Sequence, residues 1–390
     1  MGSLKQKKVF FVIGEESGDL LGADLLAALN AKSQSAGFEI EAMGLGGPAM
    51  QSLGMKSLFD ISEIAVMGIS AVIGRLPTII RRILNTVAEI VRQRPDIIIL
   101  IDSPDFTHAV AKRVRKKLPG IPIIDYVCPS VWAWRQGRAR KMTAYIDHVL
   151  ALLSFEPKVL KELGGPDATY VGHKLVEELK DISIGERPVA FDKSGDELPV
   201  LLVLPGSRKG EVDRLLDIFG ETVELMRARS QEFECVIPAV AHLEDEIRQK
   251  TDNWPVKPKI VIGADNKRDA FASATAALAA SGTVSLELAL AGVPMVLAYR
   301  LDPLAKRLAF LFSTWSAALP NLVADYVVVP EEFNHEVTGD RLVRQLERLL
   351  WDSPQRRAQI EGMKDINSNM QVDQPPGEKA AEVIFRYLAD

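Results

Sequence analysis

The sequence lacks most of the marks that assign a chain quickly. Its 390 residues contain only two cysteines, Cys128 and Cys235. They form neither a metal-binding spacing nor a disulfide framework, so they read as reduced cytosolic thiols. The histidines, at 108, 148, 173, 242 and 335, show no HxxxH-type pairing. There is no Asp-x-Asp motif of the kind metal-dependent sugar transferases use. No metal site and no cofactor are therefore expected. No run approaches the ~20 apolar residues of a spanning helix. Val9–Ile13 is too short for a signal-peptide core, and Gly2 lacks the Ser or Thr that myristoylation needs where Gln6 stands. The expectation is a cytoplasmic protein with only peripheral membrane contact. The net charge of −5 gives no reason to expect nucleic acid. The turn after the first strand lacks the Gly-x-Gly-x-x-Gly fingerprint, which argues against an NAD-dependent dehydrogenase.

What is present is ordinary globular material, 47% hydrophobic and 25% charged. A single core stops growing at roughly 250–300 residues, so two domains are expected. Continuous apolar runs at Val9–Ile13, Ile97–Ile101, Ile121–Tyr126, Val149–Leu153, Val200–Leu204, Cys235–Pro238, Ala276–Ala280 and Met295–Tyr299 read as parallel strands covered on both faces. Helical stretches between them, clearest at Leu20–Asn30, Thr78–Gln93, Thr107–Lys117, Arg208–Gln231 and Val284–Ala291, give strand–helix–strand alternation. The alternation pauses between about Leu175 and Pro199, in a polar segment rich in Gly, Pro and Asp that reads as a linker. The fold class is α/β: two Rossmann-like doubly wound domains, residues 1–180 and 190–370, expected to face across a cleft. A final helix within 371–390 is expected to cross back to the first domain. Ligands of such sheets sit beyond the carboxyl ends of the strands.

Several motifs fall there. Gly14-Glu15-Glu16-Ser17-Gly18-Asp19 follows the first strand. Its carboxylates would repel a pyrophosphate at the helix start, so it suits sugar hydroxyls better; Ser17 or Asp19 alternatively caps the helix. Asp102-Ser103-Pro104-Asp105-Phe106 ends another strand, and Asp102 is a candidate general base, with Ser103 or Asp105 as the helix cap. In Cys128-Pro129-Ser130-Val131-Trp132-Ala133-Trp134-Arg135, Trp132 offers a flat face to a sugar or acyl chain and Arg135 a phosphate fork, with core burial the competing reading of the tryptophans. Gly206-Ser207-Arg208 and Ser281-Gly282-Thr283 each join a strand to a helix, where backbone N–H groups and Arg208 suit a nucleotide diphosphate. Glu287, one turn into the second helix, is a candidate for ribose hydroxyls, and Asn321 a candidate for the cleft.

Taken in order, GEESGD, GLGGPAM, AVMGISAVIGRLP, DSPDF, CPSVWAWR, VGHKL, LPGSR with Glu211, ASGTVSLELALAGVPMV and LPNL resemble the lipid-A-disaccharide synthase family over about residues 9 to 325. The resemblance implies a GT-B glycosyltransferase that moves 2,3-diacylglucosamine from UDP-2,3-diacylglucosamine to 2,3-diacylglucosamine 1-phosphate. The products are the β(1→6) lipid A disaccharide 1-phosphate and UDP. It implies acceptor elements in the first half and UDP in the second. It also marks Glu15, Asp102, Arg208 and Asn321 as functional, with Glu15 and Asp102 as the catalytic pair. Two departures stand out. Glu16 occupies a position where a small residue or Thr is usual, and Asn334-His335 breaks the stretch where a Gln is expected. A homodimer is compatible with this reading. The rival readings are a UDP-N-acetylglucosamine 2-epimerase of the same fold and a non-catalytic lipid or nucleotide-sugar binding protein.

Acylated substrates raise the question of a membrane surface. Met67–Gln93 interleaves many apolar residues with Arg75, Arg81, Arg82 and Arg92, as in an amphipathic helix at the inner face of the cytoplasmic membrane. An ordinary core-facing helix is the plainer reading. Leu304–Trp315 is a second such stretch.

Overall fold

The structure is a computed structural model of the full chain. It describes residues 5–64, 69–182, 198–229, 232–301, 306–307 and 312–389, without the side chains at 69–73 and 389. Most of the linker segment, all of AVMG (65–68) and half of Leu304–Trp315 lie outside the described residues. The chain divides into two compact units, Met1–His173 with Val372–Asp390, and Lys174–Gln371.

Unit 1 is built on six parallel strands: β1 (Lys5–Ile13), β2 (Phe38–Leu45), β3 (Ile97–Ile101), β4 (Ile123–Tyr126), β5 (His148–Ala151) and β6 (Ala168–Tyr170). Their order is β2-β1-β3-β4-β5-β6. Every residue of β3 is buried, which is why its sequence is unbroken Ile and Leu. Its helices are α1 (Glu16–Ala36), α2 (Pro48–Ser52), α3 (Ile69–Gln93), α4 (Pro104–Lys117), α5 (Gly137–Met142) and α6 (Glu156–Glu162). The C-terminal helix Pro376–Ala389 packs on α1. Gly377 sits so close to Asp24 that a Cβ there would lie 3.1 Å from its carbonyl oxygen.

Unit 2 repeats the plan with β7 (Val200–Leu204), β8 (Glu234–Ala239), β9 (Lys259–Ile262), β10 (Ala276–Ala280), β11 (Met295–Tyr299) and β12 (Glu331–Phe333). Their order is β12-β11-β10-β7-β8-β9. The helices that matter below are α7 (Lys174–Glu178), α8 (Lys209–Ala228), α9 (Glu244–Thr251), α10 (Ala264–Ser273) and α11 (Thr283–Leu290). Counted within the unit, this is the order of a dinucleotide-binding sheet, and it reverses between β7 and β10; in unit 1 the reversal lies between β1 and β3. The sheet reversal thus sets GEESGD beside DSPDF in one unit, and GSR beside SGT in the other.

Candidate active site

In unit 1 the chain leaves β3 through Asp102 and Ser103, both in the left-handed region at φ 60° and 43°. Two consecutive non-glycine residues there are strained, by roughly 1–3 kcal/mol each. Hydrogen bonds hold the turn. The fully buried Thr107 donates its hydroxyl to the Asp102 carbonyl at 3.0 Å. The Ser103 N–H donates to Asp102 Oδ1 at 2.7 Å. The β1 turn closes on it from the side: Ser17 Oγ donates to Asp102 Oδ2 at 3.3 Å, and Ser103 Oγ to Glu15 Oε1 at 2.9 Å. Gly14 permits the approach, since a Cβ there would lie 2.1 Å from the Ser103 Cβ. Glu15 and Asp102 are therefore one cluster, linked by Ser103, whose hydroxyl donates to Glu15 and whose N–H donates to Asp102.

The helix caps expected in this region are different in the structure. Glu15 and Ser103 are the residues flanking α1 and α4, and neither side chain caps. Asp19 is buried and instead accepts from the Gly47, Ala49 and Met50 amides at 2.7, 2.7 and 3.3 Å, fixing the GLGGPAM loop. Glu16 is exposed.

The CPSVWAWR segment borders the same turn. Arg138 pairs with Asp105, and Arg135, at φ 52°, approaches Asp105 to 3.8 Å while its guanidinium covers the Trp134 ring. Trp132 is half-buried. It packs edge-on to Phe155 at 5.5 Å and donates its indole N–H to Glu156 Oε1 at 3.2 Å. Burial pushes the Glu156 carboxyl up from 4.5 to about 7, against the hydrogen bonds from Leu153 and Trp132. A second buried polar set, His108 Nε2 to Asp125 at 2.9 Å with Tyr145 on His108 Nδ1 at 3.3 Å, ties α4 to β4.

In unit 2 the strand ends open on a cavity of about 780 Å³ lined by Gly206, Ser207, Arg208, Ser281, Gly282, Thr283 and Glu287. Helices α8, α10 and α11 all begin at it. One expectation needs correction here. The Ser207 and Arg208 amides do not face a ligand: both donate to Glu211 Oε2, at 3.1 and 3.3 Å, and Arg208 Nη1 reaches Glu211 Oε1 at 3.3 Å. A Glu in the third position of a helix bends back in this way to satisfy amides with no helical partner. Gly206, at φ 120°, makes the room, since a Cβ would lie 2.5 Å from the carboxylate. The start of α11 differs. Gly282 brings no capping side chain, so the first amides of that helix open on the cavity. Glu287 also lines the cavity and is paired with Lys267 of α10.

Asn321 is a second correction. It lies in the helix Leu319–Ala324 with its side chain fully buried. Its Oδ1 accepts from the Val328 and Val329 amides at 2.8 and 2.9 Å, and its Nδ2 donates to Glu331 Oε1 at 3.0 Å. It touches no open surface. Its partner Glu331 also holds the Ala317 amide at 2.9 Å; the Ala317 carbonyl in turn accepts from Ser281 Oγ at 3.1 Å. Asn334, at φ 51°, similarly fixes backbone by accepting from the Leu301 amide at 3.1 Å.

The residues that sequence reasoning missed are Thr107, Glu156 and Lys267. Each is a lone partner without a spacing to mark it. Glu331 stands in a stretch the sequence marks only beside LPNL, without a role. Among the described residues no group of three or more His, Cys, Asp or Glu side chains is disposed to hold a metal ion, and no helix is long and apolar enough to cross a membrane.

The comparisons with known proteins are consistent. Residues 9–385 match the family described as lipid-A-disaccharide synthetase. A lipid-A-disaccharide synthase of Nitrobacter winogradskyi is 45% identical over 388 residues, 98% of this chain and 96% of that one. One from Bradyrhizobium diazoefficiens is 44% identical over 387 residues, 98% of this chain and 97% of that one. Among solved structures, MurG of Acinetobacter baumannii superposes with TM-score 0.57 at 12% identity, covering 97% of this chain and 99% of that one. The calicheamicin glycosyltransferase CalG4 gives 0.59 at 15%, covering 99% of both chains. A UDP-GlcNAc 2-epimerase of Methanocaldococcus jannaschii gives 0.55 at 15%, covering 98% of this chain and 99% of that one. At such identities the structural likeness speaks for the fold alone.

Proposed function

The chain belongs to the lipid-A-disaccharide synthetase family, and from that premise we propose how its two units divide the reaction. The protein is a GT-B glycosyltransferase that makes the lipid A disaccharide. Its donor is UDP-2,3-diacylglucosamine and its acceptor 2,3-diacylglucosamine 1-phosphate. The acceptor's 6-hydroxyl oxygen bonds to the anomeric carbon, the bond from that carbon to UDP breaks, and the hydroxyl proton passes to Asp102. An α-linked donor and a β-linked product require direct displacement with inversion.

The observation that supports this reading is the strained turn at Asp102 and Ser103, where each Asp102 oxygen accepts one bond from Ser103 or Ser17. A carboxylate oxygen accepts about two, so the side chain is aimed and still has capacity for a substrate hydroxyl. Glu15, joined to it through Ser103, sets the turn and can take a second sugar hydroxyl. Trp132 and Arg135 are read as acceptor contacts beside it.

In unit 2 the UDP diphosphate meets the amides at the start of α11, with Ser281, Gly282 and Thr283, and the exposed guanidinium of Arg208 beyond Gly206 and Ser207. Glu287 takes the ribose. These groups stabilise the charge that develops on departing UDP.

The acyl chains call for a lipid-facing surface. The apolar side chains of α3 described from residue 74 onward split into two stripes. Ile83, Val87 and Ile90 are buried with Ile79 packed beside them, whereas Leu76, Ile80 and Leu84 are 48%, 46% and 53% exposed. The exposed stripe, flanked by Arg75 and Arg81, is proposed to lie against the inner face of the cytoplasmic membrane. Arg82 belongs to the fold, forked onto Glu63 and stacked over Phe59.

The direct test is incubation with donor and acceptor, with and without EDTA, and mass spectrometry of the products. Disaccharide 1-phosphate and UDP in both arms are expected. An epimerised UDP-sugar, or no UDP release, would sink the reading.

A further inference from the structure

Lys267 lines the unit 2 cavity but has no place among the donor contacts proposed above. It stands in the first turns of α10, whose start at Gly263 opens on the same space as α11. Its ammonium pairs with Glu287 Oε2 and lies 5.4 Å from the Phe271 ring centroid. The pair joins two different helices, so it fixes the Glu287 side chain in a way that α11 alone cannot. Glu287 and Lys267 both line the ligand space. A carboxylate near a diphosphate is repelled by it, and a lysine paired with that carboxylate offsets the repulsion while selecting one rotamer.

We propose that Lys267 is a positioning residue for donor specificity: by holding Glu287 it makes the cavity select a ribonucleoside diphosphate over its deoxy counterpart. The proposal rests on the reading of unit 2 as the UDP site. Its consequence is selective. Removing a merely supportive cation weakens every diphosphate alike, whereas loosening Glu287 removes the preference for ligands with ribose hydroxyls.

The test is calorimetric titration of the full chain with UDP and with 2′,3′-dideoxyuridine diphosphate. Hydrogen bonds to a charged acceptor make the wild-type preference for UDP on the order of ten- to a hundredfold. In Lys267→Met the ratio is expected to collapse to within about threefold, with the circular dichroism melt unchanged because Lys267 is partly exposed. Lys267→Arg should restore most of the ratio. An unchanged ratio in Lys267→Met, with both ligands weakened equally, would overturn the proposal and make the lysine a simple counter-charge. Failure of the wild-type chain to bind UDP at all would instead remove the donor reading itself.

Discussion

The two units use the same strand–turn–helix scaffold at the same sheet reversal, yet furnish it oppositely. In unit 1 the turns after β3 and β4 and the CPSVWAWR loop force side-chain-bearing residues into the left-handed region, Asp102, Ser103, Val127 and Arg135 among them. In unit 2 the turns at β7, β9 and β10 use Gly206, Gly263 and Gly282. At Gly282 the glycine leaves the first amides of the helix without a side-chain cap, which attracts an anion, whereas at Gly206 it makes room for Glu211 to take the amides. A turn of Asp and Ser stores strain and presents oxygens, which attract a proton. Under the proposed division, one backbone plan yields a base in one unit and an anion holder in the other.

If that contrast is right, the largest effect comes from the carboxylate turn. Asp102→Asn should lower turnover by roughly 10²–10⁴-fold, read by single-turnover assay, with an unchanged thermal melt. Near-normal turnover would strike Asp102 from the mechanism and leave unit 1 without a base.

Glu156 gives the next effect, and it is on stability. Its carboxyl is raised by burial from 4.5 to about 7. A raised acid binds its proton more tightly when folded, so its contribution is complete below about pH 4.5 and is lost as pH rises through 7. The loss is at most about 3 kcal/mol. Urea melts at pH 5 and pH 8 should differ less in Glu156→Gln than in the wild type; an identical pH dependence would show that Glu156 ionises freely beneath Trp132.

Gly206→Ala probes the glycine turn. It places a Cβ against Glu211 at an unfavourable φ and should cost about 1–3 kcal/mol of stability and weaken UDP binding measurably. A variant as stable and as tight as wild type would mean that the turn relaxes easily and that the contrast with unit 1 is not enforced by backbone.

The smallest effect tests the outer face of unit 1. Replacing Leu76, Ile80 and Leu84 together with Ser should abolish sedimentation with anionic vesicles while sparing UDP affinity. Ile79 and Ile83 are unsuitable targets, because they pack in the core. Wild-type protein that stays in the supernatant at low salt would remove α3 from the membrane account.

Legibility followed burial. The eight apolar runs all fall on strands: four match at both ends, three are shifted by one or two residues, and β1 begins four residues earlier, at Lys5. The four strands with no run to mark them, β2, β6, β9 and β12, are the four sheet edges. An edge strand has one unpaired flank and less cover, so it needs no continuous apolar run: β2 carries Glu39 and Glu41, β9 begins at Lys259, and β12 holds Glu331 and Glu332. The site divided the same way. Motif residues at strand ends were legible because topology dictates where they fall. Their partners were not: Thr107 grips Asp102, Glu331 links Asn321 to the Ser281 loop, and Lys267 grips Glu287 from residues with no pattern of their own. Asn321, expected ahead of a strand and near the cleft from the family resemblance, instead lies in a helix that buries it. The competition at Ser207 and Arg208 was readable in principle, since Glu211 stands where a capping carboxylate stands.

The most direct test of the division between the units is a calorimetric titration of UDP into Asp102→Asn beside the wild type. The account predicts equal affinity, within about twofold, for a variant whose turnover has collapsed by roughly 10²–10⁴-fold. A parallel loss of UDP affinity would contradict it, because the carboxylate turn would then be part of the nucleotide site rather than the base that unit 1 supplies.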